Sequence, residues 1–273
     1  MKLITQPKGE IQNDILNTMI HSWDYFDLDF PLGQSLSNAQ FFVPNGFIEL
    51  IFLKDLHVYE ATINQPLKKL PQSFIWGQTK QGNQVAVIGK GVWIEIKIYP
   101  WAFELLFGHS ANSLSSCATA TRDITKALAP ISEQINTVQN AAQVIHLFEQ
   151  FAIQQLHTSR TVKPFLVHAF NSILSSHGQV QISELCNKMN VSRQYFHQYF
   201  KDKIGLSPKS YAKIIRLRKT VDNIYKNNDL SLTQIALEGG YFDQAHFIHD
   251  FKSILHQPPS AFFKQKQFIY WDL

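Results

Sequence analysis

The stretch VSRQYFHQYFK, residues 191–201, sorts its side chains by chemistry along a helical period. Gln194, His197, Gln198 and Lys201 recur at intervals of three and four, so a helix gathers their hydrogen-bonding groups on one side. Phe196, Tyr199 and Phe200 take the other side. A row of amide, imidazole and ammonium groups on a rigid helix suits base edges and phosphates in a major groove. Glutamine bonds adenine at N6 and N7 together, and lysine suits phosphate or guanine. Arg193, nearer the helix start, is placed for backbone phosphate. Ser192 is expected to cap that start, its hydroxyl accepting from an orphan backbone N–H of the first turn.

A second copy lies about fifty residues downstream. Cys186 and Ala236 are 50 apart, as are Asn190 and Gly240. Past those turns the offset becomes 51, pairing Phe196 with Phe247, Phe200 with Phe251, Lys201 with Lys252, Pro208 with Pro259 and Tyr211 with Phe262. The second unit is therefore the first with one residue inserted at its turn, an internal repeat. Each unit reads as a short helix, a tight turn and a second helix, with a turn residue that tolerates positive φ. In the second unit the outward face holds Ala245, Ile248, His249 and Lys252, with Gln244 beside it. Ala245 and Ile248 suit thymine methyl groups, and this face is poorer in hydrogen-bonding groups than the first. Between the units, residues 210–225 read as a long amphipathic helix that holds the two reading helices at a fixed offset.

Charge supports this division. Residues 162–273 hold 14 Lys and Arg against 8 Asp and Glu, a balance of +6; residues 1–161 hold 11 against 13, a balance of −2. A basic back half beside a mildly acidic front half fits a polyanionic partner. Hydrophobic content of 45% and charged content of 17% over 273 residues describe a folded chain with a sizeable core. No apolar run approaches the ~20 residues that span a bilayer. The N-terminus lacks a secretion signal, and two cysteines, Cys117 and Cys186, stand in no CxxC or metal spacing. A cytoplasmic, reducing setting is expected.

The front half has the texture of short strands between turns. FIELIFL (47–53), VAVIG (85–89) and VWIEIKI (92–98) are expected strands, punctuated by Asn45-Gly46, Gly82-Asn83 and Gly89-Lys90-Gly91. In the last strand Val92, Ile94, Ile96 and Ile98 share one face, which leaves Trp93 on the other, toward a pocket or an interface. Trp93 is thus the candidate ligand-binding residue. WAFELLFG begins a helix at Pro100 that Gly108 stops, and 131–157 read as one longer helix with Ile131, Ile135, Val138, Ala142, Ile145, Phe148 and Ala152 inward. Such a helix packs on its own β-domain or pairs two subunits. The polar segment HTSRTVK (157–163) before Pro164 marks the boundary between a 1–160 domain and a 161–273 domain. The helix-turn-helix units fall at about 180–204 and 231–256.

Residues 164–263 resemble the DNA-binding domain of the AraC/XylS family of bacterial transcription regulators. The resemblance is carried by Ser192, Phe196, Phe200-Lys201, Gly205, Ser207-Pro208, Tyr211 and Arg216-Leu217, and again by Ile235-Ala236, Gly239-Gly240-Tyr241, Phe247, Phe251-Lys252, Pro259-Ser260 and Phe262. It implies an α+β chain: an N-terminal β-rich, half-barrel or cupin-like domain with trailing helices that senses and dimerises, then an all-α domain of two helix-turn-helix units joined by a long helix. It further implies double-stranded promoter DNA and RNA polymerase as partners, a small-molecule effector and a homodimer; the clustered cysteines used by the family's DNA-repair methyltransferases do not occur here, and no enzymatic activity is expected. Departures from the family stand at Gln198 and His249, where a basic residue is usual, at His256, where glycine is, and at Phe263, where arginine is.

Other chemistry finds little footing. Phe196, Phe200, Phe247 and Phe251 are core positions, not base-stacking groups. His246 and His249 lack a third ligand, and His57 and His109 stand alone, so no metal is expected. Neither cysteine has a histidine partner, and there is no Gly-rich phosphate loop, GxSxG elbow or HExxH sequence, so no cofactor is expected. Lys68-Lys69 and Lys264/Lys266 read as solvated surface, the latter pair also suited to phosphate. The alternative is an enzyme-like or metal-binding front domain fused to a DNA-binding tail.

Overall fold

The computed structural model describes residues 4–5, 11, 13–30, 40–61, 65–114, 118–135, 137, 140–156, 160–226 and 231–264. Cys117, Val138, His157, Thr158, Ser159 and Lys266 lie outside the described residues. The chain adopts the expected α+β architecture, an antiparallel β-sheet followed by an all-helical back half. The strands are β1 (Ile4–Thr5), β2 (Ile20–Phe30), β3 (Gln40–Phe42), β4 (Ile48–Ala61), β5 (Lys68–Lys69), β6 (Ser73–Trp76), β7 (Asn83–Ile98) and β8 (Thr119–Ala120). They form one sheet in the order β1-β2-β7-β4-β6-β8, with β3 also on β7 and β5 on β4.

The long central strands are apolar on both faces because both are covered, which is why FIELIFL runs almost without interruption. One face, with Leu50, Phe52, Ile94, Ile96 and Ile98, packs under helices. The other buries Phe26, Ile51, Leu53, Val87 and Trp93 with Phe74 and Trp76 of β6. Trp93 therefore lies in the interior, 1% exposed, its ring 5.8 Å from Trp76 and edge-on to Phe74. The sequence reading placed it at a pocket or interface; the second apolar layer, which alternation along β7 does not reveal, encloses it instead.

The expected turn at Gly89-Lys90-Gly91 is absent. β7 runs through it as one strand of 16 residues against β4, whose register shifts between Lys54 and Leu56 with Asp55 at φ 57°. At this bulge the backbones press together: a Cβ on Gly91 would lie 2.0 Å from the Lys54 carbonyl oxygen. These glycines mark close approach, not reversal.

The helices of the front half are α1 (Asp14–Asn17), α2 (Phe103–Phe107), α3 (Thr121–Ile124), α4 (Ala129–Gln134) and α5 (Ala141–Leu156). Gly108 ends α2 in the left-handed conformation, as expected. The single helix expected over 131–157 is two. Asn140 accepts from the Gln143 amide at 3.2 Å and starts α5 afresh. That restart resets the helical phase, so Ala141 is buried and Ala142 exposed, the reverse of the expectation, while Val144, Ile145, Phe148, Phe151 and Ala152 face inward. Phe151 meets Phe107 of α2 at 5.7 Å, so α5 packs on its own chain.

The back half comprises α6 (Pro164–Ser175), α7 (Ile182–Lys188), α8 (Arg193–Ile204), α9 (Pro208–Lys226), α10 (Leu232–Glu238), α11 (Gln244–Leu255) and α12 (Pro259–Lys264). One apolar cluster runs from the sheet through α2 and α5 into α6, α8, α9, α11 and α12. Tyr99 stands edge-on to Phe170 at 5.5 Å, and Phe41 contacts Phe262 at 6.2 Å. Tyr211 of α9 donates to the buried Gly46 carbonyl at 3.1 Å, and the Gly82 amide donates to the Ile254 carbonyl at 2.9 Å.

Candidate nucleic-acid interface

Each reading helix begins where a side chain satisfies its first amides. Ser192 accepts from the Tyr195 amide at 3.2 Å, and Asp243 from the His246 amide at 2.7 Å. Residues 189–192 link α7 to α8, and 239–243 link α10 to α11, four residues against five, which is the insertion read from the repeat. The turns use Asn190 at φ 53° and Gly240 at φ 75°. Leu185 and Cys186 in the first unit, and Ile235 and Ala236 in the second, are buried beneath the reading helices.

With those anchors set, Phe196 and Phe200 are fully buried, and Arg193, Gln194, His197, Gln198 and Lys201 are all exposed. Tyr199, read as inward, is half-buried, since it fills the edge of the core with Phe165 and stacks on Tyr195. In the second unit Phe247 and Phe251 are buried while Ala245, His249 and Lys252 are exposed. Ile248 is half-buried against the core, and Gln244 accepts a hydrogen bond from Thr233 of α10 at 2.8 Å. Both are thereby held closer to the protein than their neighbours.

Cations separate into two groups. Lys203 pairs with Glu104 at 2.5 Å and Asp202 at 3.1 Å, Lys213 with Asp250 at 2.8 Å, and Arg218 with Asp222 at 2.9 Å. Arg216 donates to the Gly178 carbonyl at 2.6 Å and lies over the Tyr241 ring. Lys203 ties α8 to α2, Lys213 ties α9 to α11, Arg216 ties α9 to the segment after α6, and Arg218 pairs within α9. Lys188, Arg193, Lys201, Lys209 and Lys252 remain on exposed surface. Arg160, Lys163 and Lys264 are exposed as well, and Arg193, Lys201 and Lys252 put outward charge on the reading helices themselves, where it can attract a polyanion.

Asp250 was not read as functional from the sequence. Buried on α11, it receives Lys213 and lies 3.7 Å from His246 and 3.5 Å from His249, a carboxylate beside two imidazoles. Its inward placement follows the helical period from Phe247, which is the only sequence signal for it. Among the described residues no three His, Cys, Asp or Glu side chains group as metal ligands would, and no helix is long and apolar enough to cross a membrane.

The front half holds a buried polar centre that sequence reading missed. Asp24, Glu49, Glu95 and Lys97 are all under 9% exposed on adjacent strands. Lys97 reaches Asp24 at 3.2 Å and Glu95 at 3.8 Å, while Asn45 donates to Glu49. Burial, and then the neighbouring Glu95, hold the Glu49 carboxyl protonated well above the usual carboxylate range. Beside it a cavity of about 20 Å³, lined by Phe42, Asn45, Phe47, Trp76 and Gln78 among others, has room for about one water.

The helix-turn-helix domain family matches residues 185–265. Over 162 residues the chain is 24% identical to the Msm operon regulatory protein of Streptococcus mutans, covering 59% of this chain and 58% of that protein. It is 27% identical over 141 residues to the TetD protein of transposon Tn10 from Escherichia coli, covering 52% of this chain and 95% of that one. ToxT from Vibrio cholerae superposes over 89% of this chain and 97% of its own, at 12% identity and a TM-score of 0.46. The chain thus spans little more than half the length of the streptococcal regulator.

Proposed function

We propose that the chain is an AraC-type helix-turn-helix regulator that controls transcription by placing α8 and α11 in successive major grooves of promoter DNA. The observation that carries this reading is the split of α8, with Phe196 and Phe200 inside and Gln194, His197, Gln198 and Lys201 outside. α9 spans about 28 Å at ~1.5 Å per residue over its 19 residues, suited to the ~34 Å repeat between grooves. In this proposal Gln194 and Gln198 read bases, His197 assists, and Arg193 and Lys201 hold phosphate. Ala245, Ile248, His249 and Lys252, with Gln244 at the edge, make the weaker second contact.

Residues 1–160 act as the sensing and dimerisation part and 161–273 as the DNA-binding part. The chain works as a cytoplasmic, non-enzymatic homodimer beside RNA polymerase and answers to a small-molecule effector. These assignments draw on the family. Trp93, enclosed in the sheet, offers an effector no surface, and the cavity beside Glu49 is small for one.

Selection of bound duplexes from a random-sequence pool, followed by anisotropy titration of the winners, tests the proposal. The expected result is a two-part site with half-sites one helical turn apart. Binding with no sequence preference would overturn it, and light scattering of the complex gives the number of chains.

A further inference from the structure

A turn of the front half stands against the first reading helix. Residues 109–113 read His-Ser-Ala-Asn-Ser, and Ala111–Ser113 form a short 3-10 turn capped by Ser110. The Ser110 hydroxyl lies 2.5 Å from the Asp202 carbonyl and 2.8 Å from its carboxylate. Lys203 bridges Asp202 to Glu104 of α2. The Gly205 cap sits so close that a Cβ there would lie 3.2 Å from the Ala111 carbonyl oxygen. The turn is thus fixed to the C-terminal end of α8 by hydrogen bonds and backbone contact, beside the ion pair that joins α8 to α2.

This fastening leaves an open groove of about 450 Å³ lined by Asn112, Tyr195, Gln198, Tyr199, Lys201 and Asp202. Asn112 is exposed and lines this groove together with Gln198 and Lys201. A helix in a major groove has a phosphodiester backbone along each flank, and this groove is one flank of α8. Its chemistry suits phosphate. Lys201 supplies charge, residues 109–113 carry no acid, and the Asp202 carboxylate already faces Lys203 and Ser110.

Resting on the DNA-binding reading above, we propose that the front-half turn at Asn112 is part of the DNA interface, its side-chain amide and Lys201 together holding one backbone phosphate beside α8. The phosphate contact is complete only while the front half is docked on α8, so docking is read directly by DNA affinity.

The test uses the full chain and a duplex selected from a random pool, titrated by anisotropy over a range of KCl. Asn112→Ala is expected to weaken all sequences alike by about 2- to 10-fold, the loss of one hydrogen bond, with base preference unchanged. Asn112→Asp should weaken binding further, and Asn112→Arg should strengthen it and steepen the salt slope by about 0.9. Equal affinity for wild type, Asn112→Asp and Asn112→Arg would overturn the proposal. So would tighter binding by Asn112→Asp, which would make the turn an obstruction. Gln194→Ala and Lys201→Ala are measured in parallel: if these alter binding and the Asn112 variants do not, the DNA reading stands and this proposal falls. If none of them alters binding, the DNA reading itself fails.

Discussion

The two caps that end the reading helices make an internal control. Gly205 ends α8 at φ 90° and His256 ends α11 at φ 57°, and each backbone amide donates to the carbonyl four residues earlier. They are 51 residues apart, the same position of the repeat in glycine and non-glycine form. A left-handed residue with a Cβ costs about 1–2 kcal/mol of strain. Replacing His256 by Gly removes that strain but loosens the unfolded chain by about 0.4–1 kcal/mol. The ring is exposed, so little packing is lost. His256→Gly should therefore stabilise by about 0.5–1 kcal/mol.

Gly205→Ala runs the other way. It gains the unfolded-state term of about 0.4–1 kcal/mol and acquires the strain of about 1–2 kcal/mol. It also brings a Cβ 3.2 Å from the Ala111 carbonyl oxygen and 3.3 Å from the Gln78 Cβ, atoms of the front half that must then give way. The net loss should be at least about 1 kcal/mol. At roughly 2–4 °C per kcal/mol for chains of this size, scanning calorimetry should show His256→Gly rising by about 1–4 °C and Gly205→Ala falling by about 2–4 °C. Shifts of the same sign in both variants would refute the reasoning. The difference also accounts for the departure at His256: the first cap is pressed against the front half, and the second faces water.

Gln194→Ala should cost about 1–3 kcal/mol on the selected duplex and much less on one altered at the contacted base; an equal loss on both would mean that Gln194 does not read bases. Lys201→Ala should weaken every duplex alike and reduce the salt slope by about 0.9, and an unchanged slope would remove Lys201 from the phosphate contacts. The raised Glu49 carboxyl keeps in the folded state a proton that the unfolded chain releases above about pH 4.5, so stability declines as pH rises from there through the folded value. Glu49→Gln, which keeps the acceptor for Asn45, should flatten that decline in urea titrations at several pH values; an identical pH profile would count against the assignment. Tyr211→Phe leaves the buried Gly46 carbonyl without its donor and should lower stability by about 1–3 kcal/mol, read from the urea midpoint, with no change pointing to a bond of no consequence.

The reading helices were legible in the sequence because local rules govern them. Ser192, Asn190 and Phe196 act within one turn of their neighbours, and the repeat gives each position a second instance. What was hidden depends on partners far along the chain. Gly89 and Gly91 look like turn residues until the Asp55 bulge, over thirty residues earlier, is laid against them. Glu95 and Lys97 look like an outward strand face until the second apolar layer closes over Trp93, and only then does their burial with Asp24 and Glu49 appear. The break between α4 and α5 is hidden in the sequence because the apolar spacing on either side nearly matches, and only the Asn140 cap resets it.

The continuity of the apolar core limits how the front half can act on the reading helices. Parting the halves would expose Tyr99, Phe170, Ile215, Leu255 and Phe262, and each such side chain returned to water costs about 1.5–3 kcal/mol. Tyr211 would lose Gly46, and Lys203 would lose Glu104. A ligand can shift an equilibrium only by its difference in affinity for two states, and complete release would demand nearly all of a strong ligand's binding energy. Small displacements that keep the core closed demand far less. The contacts that such a displacement would move first are the polar ones at the rim, Ser110 with Asp202 and Glu104 with Lys203, and these end on α8 itself. Control through this fold therefore favours adjusting how α8 is presented over freeing the DNA-binding half.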